Sequence, residues 1–312
     1  MTKGSKQSEP NEVPLGVYAS VITPRREGQI EVDLGSMLEV IDFVSTRSVD
    51  GIVLFGSAGE FVHYTAEERS RFVGLATKRS RVPILANVSH STLDGAISLA
   101  EEAAGAGVAG VLVMAPYYYR YDAPSIAAFY RDFVNEVAKR TPVYIHNAPE
   151  FTSPIPIETA ETLLLSGAFA GIKDSSGDWT YFERLLNLRA ETPFVLFCGD
   201  DELFSQARRA GANGGVSAVA AAIPELMAAL NRAIAEGKQK PAAQLQLRLE
   251  EFLAWSIKFP FPVAIREAAT IRKMNAGASA APLDIVRKQL LDQFRVWFID
   301  WIQAVENECK IK

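Results

Sequence analysis

Lys173 closes the apolar run AFAGI. An amine held where water is scarce loses the hydration that favours its ammonium form, so its pKa falls. The free amine can then attack a ketone and form a Schiff base, an electron sink for making or breaking carbon–carbon bonds. A lysine at a strand end can equally snorkel to water. The stretch Gly56-Ser57-Ala58-Gly59-Glu60 is a turn of small residues, whose backbone N–H groups and hydroxyl suit a carboxylate, or which is an ordinary connecting loop. His146 is one of three histidines, with His63 and His90. It is a candidate general acid/base with an ordinary pKa near 6.5, or a hydrogen-bonded structural residue. Asp200, Asp201 and Glu202 place three carboxylates together, for hydroxyl groups, for a metal, or to cap the helix that follows. No HxH, HExxH or CxxC spacing occurs, and no metal or cofactor is expected.

These residues recur at one place in a repeating pattern. Short apolar runs alternate with amphipathic stretches. The runs are Gly16–Thr23, Gly51–Leu54, Pro83–Ala86, Gly110–Met114, Val143–His146, Phe169–Lys173, Phe194–Cys198 and Gly214–Ser217. Helical patterns follow them, among them Asp33–Thr46, a capping-box helix opening at Thr65-Ala66-Glu67-Glu68, Ser125–Lys139, and Glu202–Ala210. Runs apolar throughout, rather than alternating, mark a parallel sheet covered on both faces. Eight β/α units predict an α/β fold, a closed (β/α)8 TIM barrel with its chemistry at the carboxyl ends of the strands. No GxGxxG follows the first run, which counts against a doubly wound dinucleotide fold. The predicted organisation is a mobile tail over 1–12, the barrel over 13–236, and a helical extension over 237–312 packed on it.

The 312 residues are 48% hydrophobic and 22% charged, which excludes wholesale disorder, collagen and coiled coil. A net charge of −5 and no basic run make a nucleic-acid binder an unsuitable reading. Two cysteines cannot form a disulfide framework, and a reducing cytoplasm is expected. The polar MTKGSKQSEPNEVP stretch lacks the apolar core of a signal peptide, and no run reaches the ~18 apolar residues of a membrane span.

The ordered set GSAGE, APYYY, YIHNAP, GIKDSSGD, CGDDELF, GANGGVS and KFPFPVAIREA resembles the dihydrodipicolinate synthase / N-acetylneuraminate lyase family. The resemblance implies a barrel with a helical extension, a homo-oligomer (dimer or tetramer), and a Schiff base with pyruvate or another 2-oxo acid. It implies Lys173 as the Schiff-base nucleophile, Ser57 as a relay hydroxyl, and Tyr118 as a tyrosine lent across a subunit interface. Two positions depart. Ala58 stands where the family has a second hydroxyl for the substrate carboxylate, and His146 stands where it has its acid/base tyrosine. Asn147 and Pro149 anchor that alignment, and Tyr144 lies two residues deeper on the same face. Phe151 replaces the arginine that synthases use for the aldehyde's carboxylate. Asp201 and Glu202 match acids that bind sugar hydroxyls. The substrate-binding set expected is therefore Ala58, Gly59, Asp201, Glu202 and Val216. The expected activity is that of a Schiff-base-forming lyase, aldolase or dehydratase acting on pyruvate or a 2-oxo acid resembling a 2-keto-3-deoxy sugar acid. The alternatives are 4-hydroxy-tetrahydrodipicolinate synthase proper and a catalytically weak 2-oxo-acid-binding protein.

Overall fold

The computed structural model describes residues 15–26, 28–29 and 31–310, so the tail expected over 1–12 lies outside the described residues. Eight strands form among them: β1 Val17–Ser20, β2 Gly51–Leu54, β3 Ile84–Asn87, β4 Gly110–Met114, β5 Val143–Asn147, β6 Gly171–Asp174, β7 Val195–Cys198 and β8 Gly214–Ser217. Each is parallel to its neighbours, and β8 returns to β1 with Tyr18 opposite Val216, closing the barrel. The helices between them are α1 Leu34–Ser45, α2 Ala66–Arg79, α3 Leu93–Gly105, α4 Ala123–Val137, α5 Ile157–Leu165, α6 Trp179–Leu188, α7 Phe204–Arg209 and α8 Pro224–Ala235. Then come α9 Gln239–Ser256, α10 Val263–Ile271 and α11 Ile285–Cys309. None of the described helices is long and apolar enough to cross a membrane.

The strands are nearly all buried and mainly apolar because they have two covered faces, with polar residues at their carboxyl ends. Their outward residues join one large cluster with the helices. Their inward residues form a second cluster of Tyr18, Val53, Leu85, Leu112, Tyr144, Phe197 and Val216. The rings of Tyr18 and Tyr144 pack on Phe197 at centroid distances of 5.3 and 6.0 Å, plugging the barrel below its upper end. Glycines make the room: a Cβ on Gly51 would lie 2.6 Å from Tyr18 Cζ, and one on Gly110 would lie 2.8 Å from Tyr144 Cε2.

Element ends follow local hydrogen bonds. The expected capping box forms: Thr65 Oγ1 accepts from Glu68 N at 3.2 Å, and Glu68 Oε2 accepts from Thr65 N at 3.1 Å. The first strand stops at Ser20, short of the expected Thr23, and the Thr23 carbonyl beyond it bonds the Tyr64 hydroxyl (3.0 Å) and Arg266 Nη1 (3.2 Å). The helix expected from Glu202 begins at Phe204, since the Asp200 carboxylate first takes the amides of Glu202 (2.8 Å) and Leu203 (3.2 Å).

The helices after β8 are joined to one another by aromatic packing and tied to the barrel by two arginines. Phe252 and Trp255 of α9 stack among Phe294, Trp297, Phe298 and Trp301 of α11. Arg272 reaches Glu225 at 2.7 Å and Glu306 at 2.7 Å. Arg266, on α10, is 4% exposed; it bonds Glu60 at 2.7 Å, the Thr23 carbonyl, and the carbonyls of Ala276 and Ala278. Removing one partner of a buried pair strands the other charge, at about 3–5 kcal/mol. Arg266→Met should therefore lower the thermal midpoint by roughly 5–10 °C. The Glu60→Gln, Arg266→Met double variant should recover part of the loss. Scanning calorimetry that finds the single variant unshifted would place this tie elsewhere.

Candidate functional site

A cavity of about 550 Å³ opens at the carboxyl ends of the strands. Ser20, Ser57, His146, Lys173, Gly199 and Val216 bring six different strand ends or the turns after them to its wall. Lys173 and His146 are paired in register on β6 and β5. The Lys173 side chain is 3% exposed. Burial pulls its pKa from 10.5 down to about 8, with Asp201, the Cys198 thiol and Asp174 acting in the opposite direction. The free amine is thus roughly a tenth of the population at pH 7, far more than an ordinary lysine provides, which suits a Schiff-base nucleophile.

His146 is equally buried, and its Nε2 lies 3.2 Å from Ser175 Oγ. Burial first, and the Lys173 charge second, hold its pKa well below 6.5. The near-neutral titration expected from sequence is therefore corrected: the imidazole is neutral at physiological pH. Tyr144 lies deeper, in the aromatic plug, as expected. The strand ends are held in place by a polar lock on the flank of the site. Asn147 Nδ2 donates to Asp174 Oδ1 at 2.8 Å, Ser176 donates to Asp174 Oδ2 at 2.8 Å, and Ile155 N donates to Asn147 Oδ1 at 3.2 Å. Burial raises Asp174 to about 6.

The GSAGE turn is held between two residues in the left-handed region, Phe55 at φ 55° and Glu60 at φ 50°. Such non-glycine positions cost about 1–3 kcal/mol each and persist where their surroundings fix them. Here Asn87 Nδ2 bonds the Phe55 carbonyl at 2.6 Å, and Arg266 holds Glu60. Inside the turn, Gly59 N donates to Gly56 O at 3.0 Å. That amide is therefore spent within the turn, and neither Ala58 nor Gly59 lies on the cavity wall.

The acidic stretch divides by role. Asp200 caps the turn before α7, as described above. Asp201 lies on the wall, but its Oδ2 accepts from the amides of Ala218 and Val219, both at 3.1 Å. Burial raises its pKa to about 6. Asp201 Oδ2 thus fastens the turn after β8, which reduces the acceptors this carboxylate offers to a substrate. Glu202 is exposed at the mouth. Tyr118 does not line the cavity of its own chain; it is 85% exposed at φ 83°, edge-on to Tyr119. Tyr117 instead packs edge-on to Phe61.

Three contributions are additional to those read from sequence. Ser20 lies on the wall with its hydroxyl buried and without a hydrogen-bond partner. The signal for it is a polar residue interrupting GVYASVIT two places after an inward tyrosine. Ser175 contacts His146, as above. The outer lip comes from the segment between α9 and α10 and its flanks, with Leu253, Ile257, Phe259, Phe261 and Ile265. Pattern reading gives that segment no sheet position from which to place it.

The family model described as the dihydrodipicolinate synthetase family matches residues 14–298. An uncharacterised DapA-like lyase of Halobacterium salinarum is 30% identical over 275 residues, covering 86% of this chain and 89% of the relative. A 4-hydroxy-tetrahydrodipicolinate synthase of Methanococcoides burtonii is 27% identical, with 86% and 91% covered. The structure of a 4-hydroxy-tetrahydrodipicolinate synthase from the methanotroph Methylacidiphilum fumariolicum SolV aligns at a TM-score of 0.82 and 25% identity, with 94% and 99% covered.

A buried amine is a stability burden while it is protonated. Between pH 8 and 10.5 the unfolded chain binds more protons at Lys173 than the folded one, so folding becomes more favourable as pH rises. Lys173→Met should stabilise the protein by about 1–3 kcal/mol at pH 7. Its advantage over the wild type should narrow between pH 8 and 10.5. Denaturant unfolding at both ends of that range checks it; a gap that widens with pH would contradict the burial-depressed amine.

Proposed function

The chain belongs to the dihydrodipicolinate synthetase family and is a lyase of the class I aldolase type, and on that premise we propose that it works through a Schiff base on Lys173 with a 2-oxo acid. The observation that carries this reading is the buried Lys173 amine, lowered to about 8 and facing the cavity. Its Nζ adds to C2 of the 2-oxo acid. The carbinolamine then loses water to give the imine, and a proton leaving C3 gives the enamine that makes a carbon–carbon bond. The reverse order breaks one.

We assign the proton transfers to His146. Imidazole ends closer to its backbone than a phenol does, so it reaches less far into the mouth. The Ser175 hydroxyl at 3.2 Å extends that reach and carries the proton between His146 and the substrate. Ser57, on the wall, is the further relay hydroxyl. Tyr118 serves from a second copy of the chain, which makes the working form a homo-oligomer; its exposure and left-handed backbone support that role. Val216 forms the wall beside the bound acid.

Two of the expected substrates fit less well. Among the described residues, Lys173 is the one cation on the cavity wall, and Phe151 stands there too, so nothing pairs the carboxylate of aspartate semialdehyde. Of the acids expected to bind sugar hydroxyls, Asp201 has one oxygen engaged by the β8 turn, and Glu202 is exposed.

Borohydride with pyruvate should reduce an adduct onto Lys173, located by peptide mass spectrometry, and Lys173→Ala should abolish it. Adduct formation should rise with pH through about 8 as the amine loses its proton, with no inflection near 6.5 from the neutral His146. His146→Ala should lower kcat by roughly 10²–10⁴. No adduct at saturating pyruvate would overturn the Schiff-base assignment. An adduct without turnover on any partner would favour the weak-binder alternative.

A further inference from the structure

We propose that the carbonyl partner of this enzyme is an uncharged aldehyde with an aromatic or branched apolar tail, so that the product is a 4-hydroxy-2-oxo acid apolar at its far end. The proposal rests on the Schiff-base reading and concerns the part of the cavity beyond Lys173. Charge narrows the choice first. Besides Lys173, the charged groups on the wall among the described residues are all acids: Glu150, Asp200, Asp201 and Glu202. An anionic tail would be repelled by them and would meet no cation. Hydrogen bonding narrows it further. Asp200 Oδ1 and Asp201 Oδ2 already accept two backbone amides each, so the wall acids outside such bonds are the exposed Glu150 and Glu202.

The facing side is apolar. Phe151 follows β5, and Leu253, Ile257, Phe259 and Phe261 come from α9 and the segment after it. Phe259 is packed on Phe294 and presents a fixed surface. At the mouth, Ile257 is 74% exposed, Phe261 45% and Phe151 43%. Three large apolar side chains from two distant stretches of chain thus converge, uncovered, on the opening of a reactive site. In our proposal a 2-oxo acid on Lys173 turns its C3 towards the opening, so an aldehyde reaching C3 sets its tail against this lip. Burying an apolar ring there removes that surface from water.

In the step proposed, C3 of the pyruvate enamine attacks the aldehyde carbon. The new C3–C4 bond forms, the alkoxide takes a proton, and water hydrolyses the imine to release the 4-hydroxy-2-oxo acid and free Lys173.

The test supplies pyruvate with benzaldehyde, glyceraldehyde or succinic semialdehyde and follows product by mass spectrometry. Benzaldehyde should give a kcat/KM at least tenfold above the other two. Phe151→Ser and Phe261→Ser should each raise its KM about tenfold. Phe151→Arg puts a cation on the lip and should shift preference towards succinic semialdehyde. A trapped pyruvate adduct with glyceraldehyde or succinic semialdehyde preferred by the wild type would overturn this proposal alone. So would Phe variants that keep the aryl preference undiminished. Absence of the pyruvate adduct would overturn it together with the reading beneath it.

Discussion

The desolvation of one amine governs the arrangement of this molecule. Lys173 keeps a low pKa because it stands at the end of a fully buried strand, above an aromatic floor and away from bulk water. Each neighbouring feature serves that condition. Tyr18, Tyr144 and Phe197 seal the barrel below. The Asn147–Asp174 bond fixes the adjoining strand ends, and with them the register of His146 and Lys173. Gly199 is required beside it, since a Cβ there would overlap Ser175 Oγ and come within 2.5 Å of Lys173 Cε.

The same environment reshapes the chemistry of His146. A phenol in its place would carry a dissociable proton on a long side chain. The imidazole is shorter and, beside a partly protonated amine in a buried site, is kept neutral. It therefore has one N–H and one lone pair, a donor and an acceptor together, without changing charge at rest. A neutral group of this kind can pass a proton only along an existing hydrogen bond, which gives the Ser175 contact its importance.

Much of this was legible in the residues. Apolar runs at regular spacing gave the barrel, because strands buried on both faces leave no polar alternation to misread. Lys173, His146, Ser57 and Val216 fell at strand ends, so the topology alone brought them together. Pairwise commitments were not legible. Asp201 and Glu202 are adjacent in sequence and chemically alike, yet one has an oxygen engaged by two amides seventeen and eighteen residues ahead and the other is exposed at the mouth. Ala58 and Gly59 belong to the right turn but do not line the cavity. Tyr118 requires surroundings that a single chain does not contain. The apolar lip escaped because it comes from a helical segment whose position depends on tertiary packing, through Arg266 and the α9–α11 aromatics, and not on any local period.

The division of the cavity between two kinds of element has an evolutionary consequence. The reacting groups sit on strand ends, where a one-residue change of register would turn every side chain over. The apolar lip sits mainly on a connection between helices, attached through α10 and outside the hydrogen-bonded sheet. Mutations can accumulate in that connection without disturbing the strands. Selection for a new substrate can therefore proceed at the lip while the nucleophile and its proton path stay constant. Descendants of one ancestral barrel can diverge in what they accept and yet remain alike in how they react.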